Sequence, residues 1–150
     1  SLYNFSMCNI MKIINKTIQI QTKCENDIVN LSDLVEKEIH STDLKNGSVT
    51  VFTKHSTAAI TTIELDAGLE KDFPDMLKRL APDNLSYEHE KKWHDGNGKS
   101  HVKASLIGPS LTIPFNEQKL LLGTWQQLVL LECDIKGRAR DVVLQIFGEN

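Results

Sequence analysis

Cysteine is scarce in this sequence of 150 residues, and the pattern of the three that occur excludes a disulfide framework. Cys8, Cys24 and Cys133 are odd in number and contain no C-x-x-C pair, which favours free thiols in a reducing compartment. No apolar run approaches the ~20 residues of a membrane-spanning helix. The first residues do not pair a cationic stretch with an apolar one, so no signal peptide is predicted. We therefore expect a cytoplasmic protein with no membrane partner.

An excess of charge of one sign is also missing. The sequence has 17 lysine and arginine residues against 20 aspartate and glutamate residues, and its net charge is −3. No overall positive field draws such a chain to nucleic acid, so we expect no nucleic-acid partner. The length suits one domain. We place that domain at residues 15–150, after an N-terminal extension at residues 1–14 that we expect to be partly a tag or disordered.

The hydrophobic periodicity of the sequence predicts several strands. Residues 16–22 alternate between apolar and polar side chains, which indicates a half-buried strand. Continuous apolar runs near the C-terminus are typical of strands covered on both faces. Strands are predicted at 16–22, 49–53, 58–63, 110–114, 126–132 and 141–147.

Two main helices are predicted between these strands. Apolar residues at helical spacing from Ile28 to Ile39 follow Asn26 or Asp27 as the cap, and the helix should end near His40. A second helix is predicted over 69–80, with Asp72 as its cap and Pro74 in its first turn or at a kink. A short third helix is predicted at 102–107. The sum is an α+β fold with mostly antiparallel sheets.

Residues 87–108 contain three of the five histidines, but common catalytic motifs fail there. His89-Glu90 begins like H-E-x-x-H, yet Trp93 occupies the position of the second histidine, which excludes a zincin. Gly98-Lys99-Ser100 resembles the end of a P-loop, but Trp93 again replaces a required residue, here the first glycine. Asp95 to Gly98 resembles the start of a calcium loop, in which Leu106 stands where a bidentate glutamate is needed.

Three histidines from different segments form the candidate metal site: His55, His89 and His101. Neutral imidazoles that converge in this way suit a divalent metal with a position left open for water or substrate. The alternative for any histidine is a surface side chain or a satisfied hydrogen bonder, and we assign His40 and His94 to it. The expected metal is Zn²⁺, with Mg²⁺ as the alternative if the substrate carries pyrophosphate.

Other polar and aromatic side chains could contact a ligand. Thr57, Ser105 and Ser110 could donate to an anion, although hydroxyls beside turns more often bond the backbone. Glu64, at a strand end, could be a ligand, a ligand's partner or a base, or it could simply be exposed. Trp125 could stack on a flat ligand, or it could pack in the core or an interface.

Several short segments occur in a characteristic order along the chain. They are Lys54-His55-Ser56-Thr57-Ala58-Ala59, Glu64, Asp72, Tyr87-Glu88-His89, Ser100 to Gly108, Ile113-Pro114, Leu122-Gly123-Thr124-Trp125-Gln126 and Arg138 to Glu149. With these segments the chain resembles the YjbQ family, also called the secondary thiamine-phosphate synthase family, over residues 15–149. One position departs from the family pattern, because Ile63 stands where asparagine usually precedes the glutamate.

The resemblance implies a β-sandwich-like core and assembly as a homotrimer. It also implies that the family's histidines fall on His55, His89 and His101, with a metal at a cleft between subunits. Some members are similar to thiamine-phosphate synthases. They would join a pyrimidine pyrophosphate to a thiazole phosphate and release pyrophosphate.

The resemblance leaves three functions open. The first is an enzyme of the thiamine-phosphate synthase type. In it the metal or Lys103 offsets the charge of the leaving pyrophosphate, and Glu64 takes up or releases protons. Trp125 and Gln126 would then contact the small phosphorylated or anionic ligand. The second function is metal-assisted hydrolysis of a small substrate, in which the metal activates water. The third is a trimer that binds a small ligand or serves as structure without catalysis.

Overall fold

A computed structural model describes residues 8–150, which form eight strands and four helices. The strands are β1 (Met11–Gln21), β2 (Ile28–Asn30), β3 (Asn46–Thr53), β4 (Ala58–Ile63), β5 (Ser110–Asn116), β6 (Lys119–Leu120), β7 (Gln127–Glu132) and β8 (Ala139–Glu149). The helices are α1 (Ser32–His40), α2 (Ala67–Leu80), α3 (Glu88–Trp93) and α4 (Gly98–Ile107). Within this range no helix has the length and apolar character needed to cross a membrane.

The strands form two antiparallel sheets, as the sequence predicts. The larger sheet has the order β1-β8-β3-β5-β6, and the smaller has the order β2-β7-β4. The α+β class is confirmed, with α3 added to the helices expected. Because β1 begins at Met11, opposite Glu149, residues 11–14 of the expected extension pair with β8. The expectation for residues 1–7 concerns a part of the chain outside the described residues.

The core lies between the two sheets. The larger sheet contributes apolar side chains from β3 and β8, and the smaller sheet contributes Ile60, Leu128 and Leu130. The opposite face of the smaller sheet, with Ala59 and Leu131, packs against Leu77 of α2 and Ala104 of α4. The smaller sheet is therefore covered on both faces, which explains the continuous apolar run in β7.

Three predicted helix starts are wrong, and one of them is that of α4, which begins at Gly98 and not at residue 102. The first helix begins at Ser32, because Ile28–Asn30 pair with β7 instead of continuing a helix. The Asn30 side chain then accepts the Ser32 N–H at 2.9 Å, and this bond ends the strand. The second helix is capped by Asp66 and not by Asp72, since Asp66 Oδ1 accepts the Leu69 N–H at 2.7 Å.

Candidate functional site

A cavity of about 750 Å³ opens where three segments meet: the β3–β4 loop, the start of α4 and the β7–β8 loop. Cationic and imidazole side chains dominate its polar lining. They are Lys54, His55, His101, Lys136, Arg138 and Arg140. We call the space lined by these six residues the basic cavity.

Gly137 brings the β7–β8 loop to the wall of this cavity. A Cβ atom at this position would lie 2.4 Å from the backbone oxygen of Thr22 and 2.7 Å from the carbonyl carbon of Lys23. A side chain would therefore push the loop away from the end of β1. The close approach also lets the Thr22 hydroxyl accept the Arg138 N–H at 2.8 Å.

A buried ion pair supports the floor of the cavity. Glu132 and Arg140 have side chains that are 0% and 2% exposed. Arg140 donates to Glu132 through Nε, at 2.9 Å, and through Nη2. Nη2 also donates to the Thr57 backbone oxygen at 3.1 Å and to the Thr57 hydroxyl at 2.9 Å, and Thr22 donates to Glu132 Oε1 at 2.6 Å. These contacts compensate both charges and fix the β3–β4 loop against β7 and β8.

A second carboxylate, Asp134, continues this network toward the cavity. It accepts the Thr57 hydroxyl at 3.1 Å, the Ile135 N–H at 2.8 Å and the Nε–H of Arg138. Burial alone would raise the pKa of Asp134, but the hydrogen bonds from Ile135 and Arg138 outweigh it and hold the pKa below its ordinary value. Asp134 is therefore an anion at neutral pH.

His55 is held by the backbone of β8. Its Nε2 accepts the Asp141 N–H at 3.0 Å, so in the neutral ring Nδ1 carries the proton and remains as a donor. Burial, followed by the nearby charge of Arg140, lowers the pKa of His55. The ring is thus neutral at the cavity wall, and its one acceptor nitrogen is already bonded to β8.

His89 and His101 lie side by side on α3 and α4. Their ring centroids are 4.5 Å apart, with the planes tilted by 51°. His89 Nε2 lies 3.4 Å from Asp95 Oδ1. When the Asn97 amide is oriented to satisfy its hydrogen bonds, its nitrogen donates to Asp95 Oδ1 at 2.8 Å and to His89 Nε2 at 3.1 Å. These contacts orient the His89 ring at the start of α4.

The three predicted metal-binding histidines therefore come to one region without forming a complete donor set. His101 lines the basic cavity together with His55 and also packs against His89. Across residues 8–150, no group of three or more histidine, cysteine, aspartate or glutamate side chains is arranged to hold a metal ion. His40 and His94 are exposed.

Several other predicted residues lie near this region. Thr57 belongs to the buried network, and Ser105 lines a smaller cavity of about 200 Å³ with His55 and His101. Ser110 is exposed and pairs with Phe52, near the start of the β3–β4 loop.

Lys103 has a different environment from the one expected for it. It is only 3% exposed, and its Nζ lies 3.3 Å from both Glu25 Oε1 and Asn26 Oδ1. Glu25 also pairs with Lys99 at 2.7 Å. Both lysines thus tie α4 to the segment after β1, and Lys103 is not among the residues that line the basic cavity.

The remaining predicted residues lie at the other end of β4. Glu64 follows β4 and is exposed, and Trp125 is 72% exposed. Gln126 donates to Thr62 Oγ1 at 3.0 Å. Since β4 separates these residues from His55 by about 17 Å of extended chain, they do not join the basic cavity within one chain.

Sequence reasoning missed the charged residues that define the site. Lys136, Arg138, Arg140, Glu132 and Asp134 were not among the candidates. A usable signal existed, because Glu132 ends a continuous apolar run and a buried carboxylate requires a cationic partner.

Comparisons with known proteins agree with this fold. A family model described as "UPF0047 protein YjbQ-like" matches residues 16–149. A UPF0047 protein from Archaeoglobus fulgidus is 34% identical over 128 residues, which cover 85% of this chain and 97% of that protein. YugU, a UPF0047 protein from Bacillus subtilis, is 32% identical over 135 residues, covering 89% and 98%.

A solved structure gives the same result. The crystal structure of a YbjQ-like protein of unknown function from Sulfolobus solfataricus superimposes with a TM-score of 0.87 at 32% identity. The superposition covers 93% of this chain and all of that one. The relatives match across nearly the whole domain, and this chain belongs to the YjbQ-like UPF0047 family.

Proposed function

We propose that the basic cavity binds a small phosphorylated or otherwise anionic molecule. The observation that carries this proposal is the lining, in which two lysines and two arginines face one space with His55 and His101. The acidic groups nearby, Glu132 and Asp134, are already paired with the arginines. A volume of about 750 Å³ also lies within the range of ordinary small-molecule sites.

The chemistry that fits this cavity best is transfer of the thiamine-phosphate synthase type, as a side activity. Both substrates of that reaction, a pyrimidine pyrophosphate and a thiazole phosphate, carry phosphate groups. The cations of the basic cavity would stabilise the charge that develops on the departing pyrophosphate. Lys103 is paired with Glu25 in the interior. We therefore propose that the cations of the basic cavity, and not Lys103, stabilise the pyrophosphate.

We propose His89 and His101 as two donors for a divalent metal, with Zn²⁺ as the first choice. Their adjacent rings support this assignment. His55 would complete the set through Nε2 once the Asp141 N–H releases it, because Nδ1 carries the proton while Nε2 accepts. A bound metal would supply Lewis-acid charge or an activated water. Elemental analysis of the purified protein tests the assignment, and absence of metal together with unchanged stability of H89A and H101A contradicts it.

We also propose that the protein is a cytoplasmic homotrimer. The exposed side chains of Ile13, Phe52 and Phe147 on the larger sheet support an interface. Cys24 and Cys133 are unpaired, as in a reducing compartment. Light scattering tests the assembly, and a monomer at micromolar concentration contradicts it.

Thermal-shift and calorimetric titrations with pyrophosphate and thiamine phosphate test the binding proposal. Binding raises the free energy of unfolding by about 2.7 kcal/mol when the ligand is present at 100 times its Kd. K54M should weaken the binding, whereas K91M, which alters a solvent-exposed lysine on α3, should leave it unchanged. Hydrolysis of phosphoesters that depends on added metal would instead support the alternative function, metal-assisted hydrolysis of a small substrate. No binding of either compound would contradict the proposal.

A further inference from the structure

We propose that Arg138 is the residue that recognises a phosphoryl group in the basic cavity, and that Asp134 is its positioning residue. This inference rests on the proposed binding of an anion, and it assigns the chemical group and the contact. Arginine is suited to the task because its planar guanidinium matches two oxygens of one phosphoryl group, which a lysine ammonium cannot do.

The contacts of Arg138 leave one end of its guanidinium free. Nε donates to Asp134 Oδ2, and Nη1 and Nη2 have no hydrogen-bond acceptor among residues 8–150. The side chain is 40% exposed and lines the basic cavity. An arginine held through Nε presents its two terminal nitrogens together, and this is the geometry of a bidentate contact.

Asp134 is fixed independently of Arg138. Its side chain is 1% exposed, and the Ile135 N–H and the Thr57 hydroxyl each donate to one of its oxygens. The Thr57 hydroxyl is in turn held by Arg140. The carboxylate therefore keeps its direction in the absence of a ligand, and it orients Arg138 before binding, which reduces the entropy lost on binding.

The other cations of the cavity have different properties. Arg140 is 2% exposed and uses Nε and Nη2 to bond Glu132 and Thr57, so its contacts are structural. Lys54 and Lys136 are exposed and add positive charge without a fixed donor geometry. Of the four cations, Arg138 combines free donors, a held orientation and access to the cavity.

The full chain, titrated calorimetrically with pyrophosphate and inorganic phosphate, tests this assignment. R138K keeps the charge but loses the paired donors, and we expect its Kd for pyrophosphate to rise about tenfold. D134N keeps the shape but removes the carboxylate charge, and we expect a smaller rise. R79K makes the same chemical change at the end of α2, outside the cavity lining, and its Kd should equal that of the wild type.

An NMR measurement separates positioning from general damage to the fold. The sequence contains three arginines, so their Nε–H resonances can be assigned by substitution. Because Asp134 is buried, the Arg138 Nε–H should exchange slowly, and pyrophosphate should shift it. In D134N this exchange should become fast while the Arg140 signal stays unchanged. If D134N does not fold, D134E supplies the measurement, since it keeps the charge and displaces Arg138.

The outcomes distinguish the inference from the function on which it rests. If the wild type binds none of pyrophosphate, phosphate and citrate, the proposed function is wrong. If the wild type binds and R138K binds equally well, the function stands and the role of Arg138 is refuted. Wild-type binding of citrate at the Arg138 signal, without binding of pyrophosphate, would refute a phosphoryl group as the ligand. Unchanged affinity and unchanged exchange in D134N would refute positioning by Asp134.

Discussion

The substitution E132Q tests how strongly the buried ion pair holds the site together. The introduced glutamine would have nearly the same shape as glutamate, but Arg140 would lose its counter-ion in an environment where both side chains are almost fully buried. The Glu132 carboxylate accepts hydrogen bonds from Arg140, Thr22 and the Asp134 N–H. In E132Q one of its two oxygens is replaced by an amide NH2 group, which can only donate and would face these donors. The variant therefore combines an uncompensated charge with a mismatched hydrogen bond.

The expected loss is about 3–5 kcal/mol, the usual cost of removing one partner of a buried pair. Domains of this kind have total stabilities of about 5–15 kcal/mol. E132Q should therefore stay folded in buffer but unfold at a much lower denaturant concentration. The matched control is E38Q, because Glu38 pairs with Lys16 at 3.3 Å while 30% exposed, and its loss should stay within about 1 kcal/mol.

Urea unfolding at one fixed protein concentration measures both variants, since association would otherwise shift the midpoint. A third protein, E132L/R140M, removes both charges and should recover much of the stability lost in E132Q. Equal losses in E132Q and E38Q would refute the reasoning, because they would mean that the Glu132 carboxylate is solvated. A double variant less stable than E132Q would show instead that the hydrogen bonds outweigh the charges.

Three further predictions concern stability and reactivity. G98A should be destabilised in urea unfolding, because a Cβ at Gly98 would lie 2.6 Å from Tyr87 Cβ. The pKa of Asp134 in the folded protein lies below its ordinary value of 3.8. The charged Asp134 therefore stabilises the fold above pH 3.8, and this stabilisation is lost as the pH falls through the folded-state pKa. D134N, which lacks this carboxylate, should lose less stability on acidification than the wild type. Cys24 should react with a thiol reagent in the native state, whereas Cys133, whose pKa burial raises to about 12, should react only after unfolding.

Much of the fold was predictable because sheets impose a simple pattern on sequence. The alternation in β1 and the continuous apolar run in β7 each have one physical cause, the number of buried faces. The helix starts were less predictable. The spacing of apolar residues at 28–39 fits a helix throughout. Ile28–Asn30 nevertheless form a strand, because they pair with β7, which is about 100 residues away in the sequence.

The site was predictable only in part. The three histidines do come to one region, since the β3–β4 loop, α3 and α4 converge there. The charged side chains of the basic cavity were not found, because hydrophobic periodicity gives no information about charge pairs across a loop. Glu132 and Arg140 lie eight residues apart and meet only because β7 and β8 bring their ends to the same cavity.

The candidate residues form two groups at opposite ends of β4. One group lies with His55 at the basic cavity, and the other, which we call the far group, contains Glu64, Trp125 and Gln126. His55 precedes the strand and Glu64 follows it, and no rotamer bridges about 17 Å of extended backbone. Gln126 is bonded to Thr62 at the far end, while Trp125 is 72% exposed and available to a neighbour. If both groups act on one ligand, a second copy must supply Trp125 to the basic cavity of the first. Binding that needs Arg138 and is unchanged in W125A would exclude Trp125 from the ligand site.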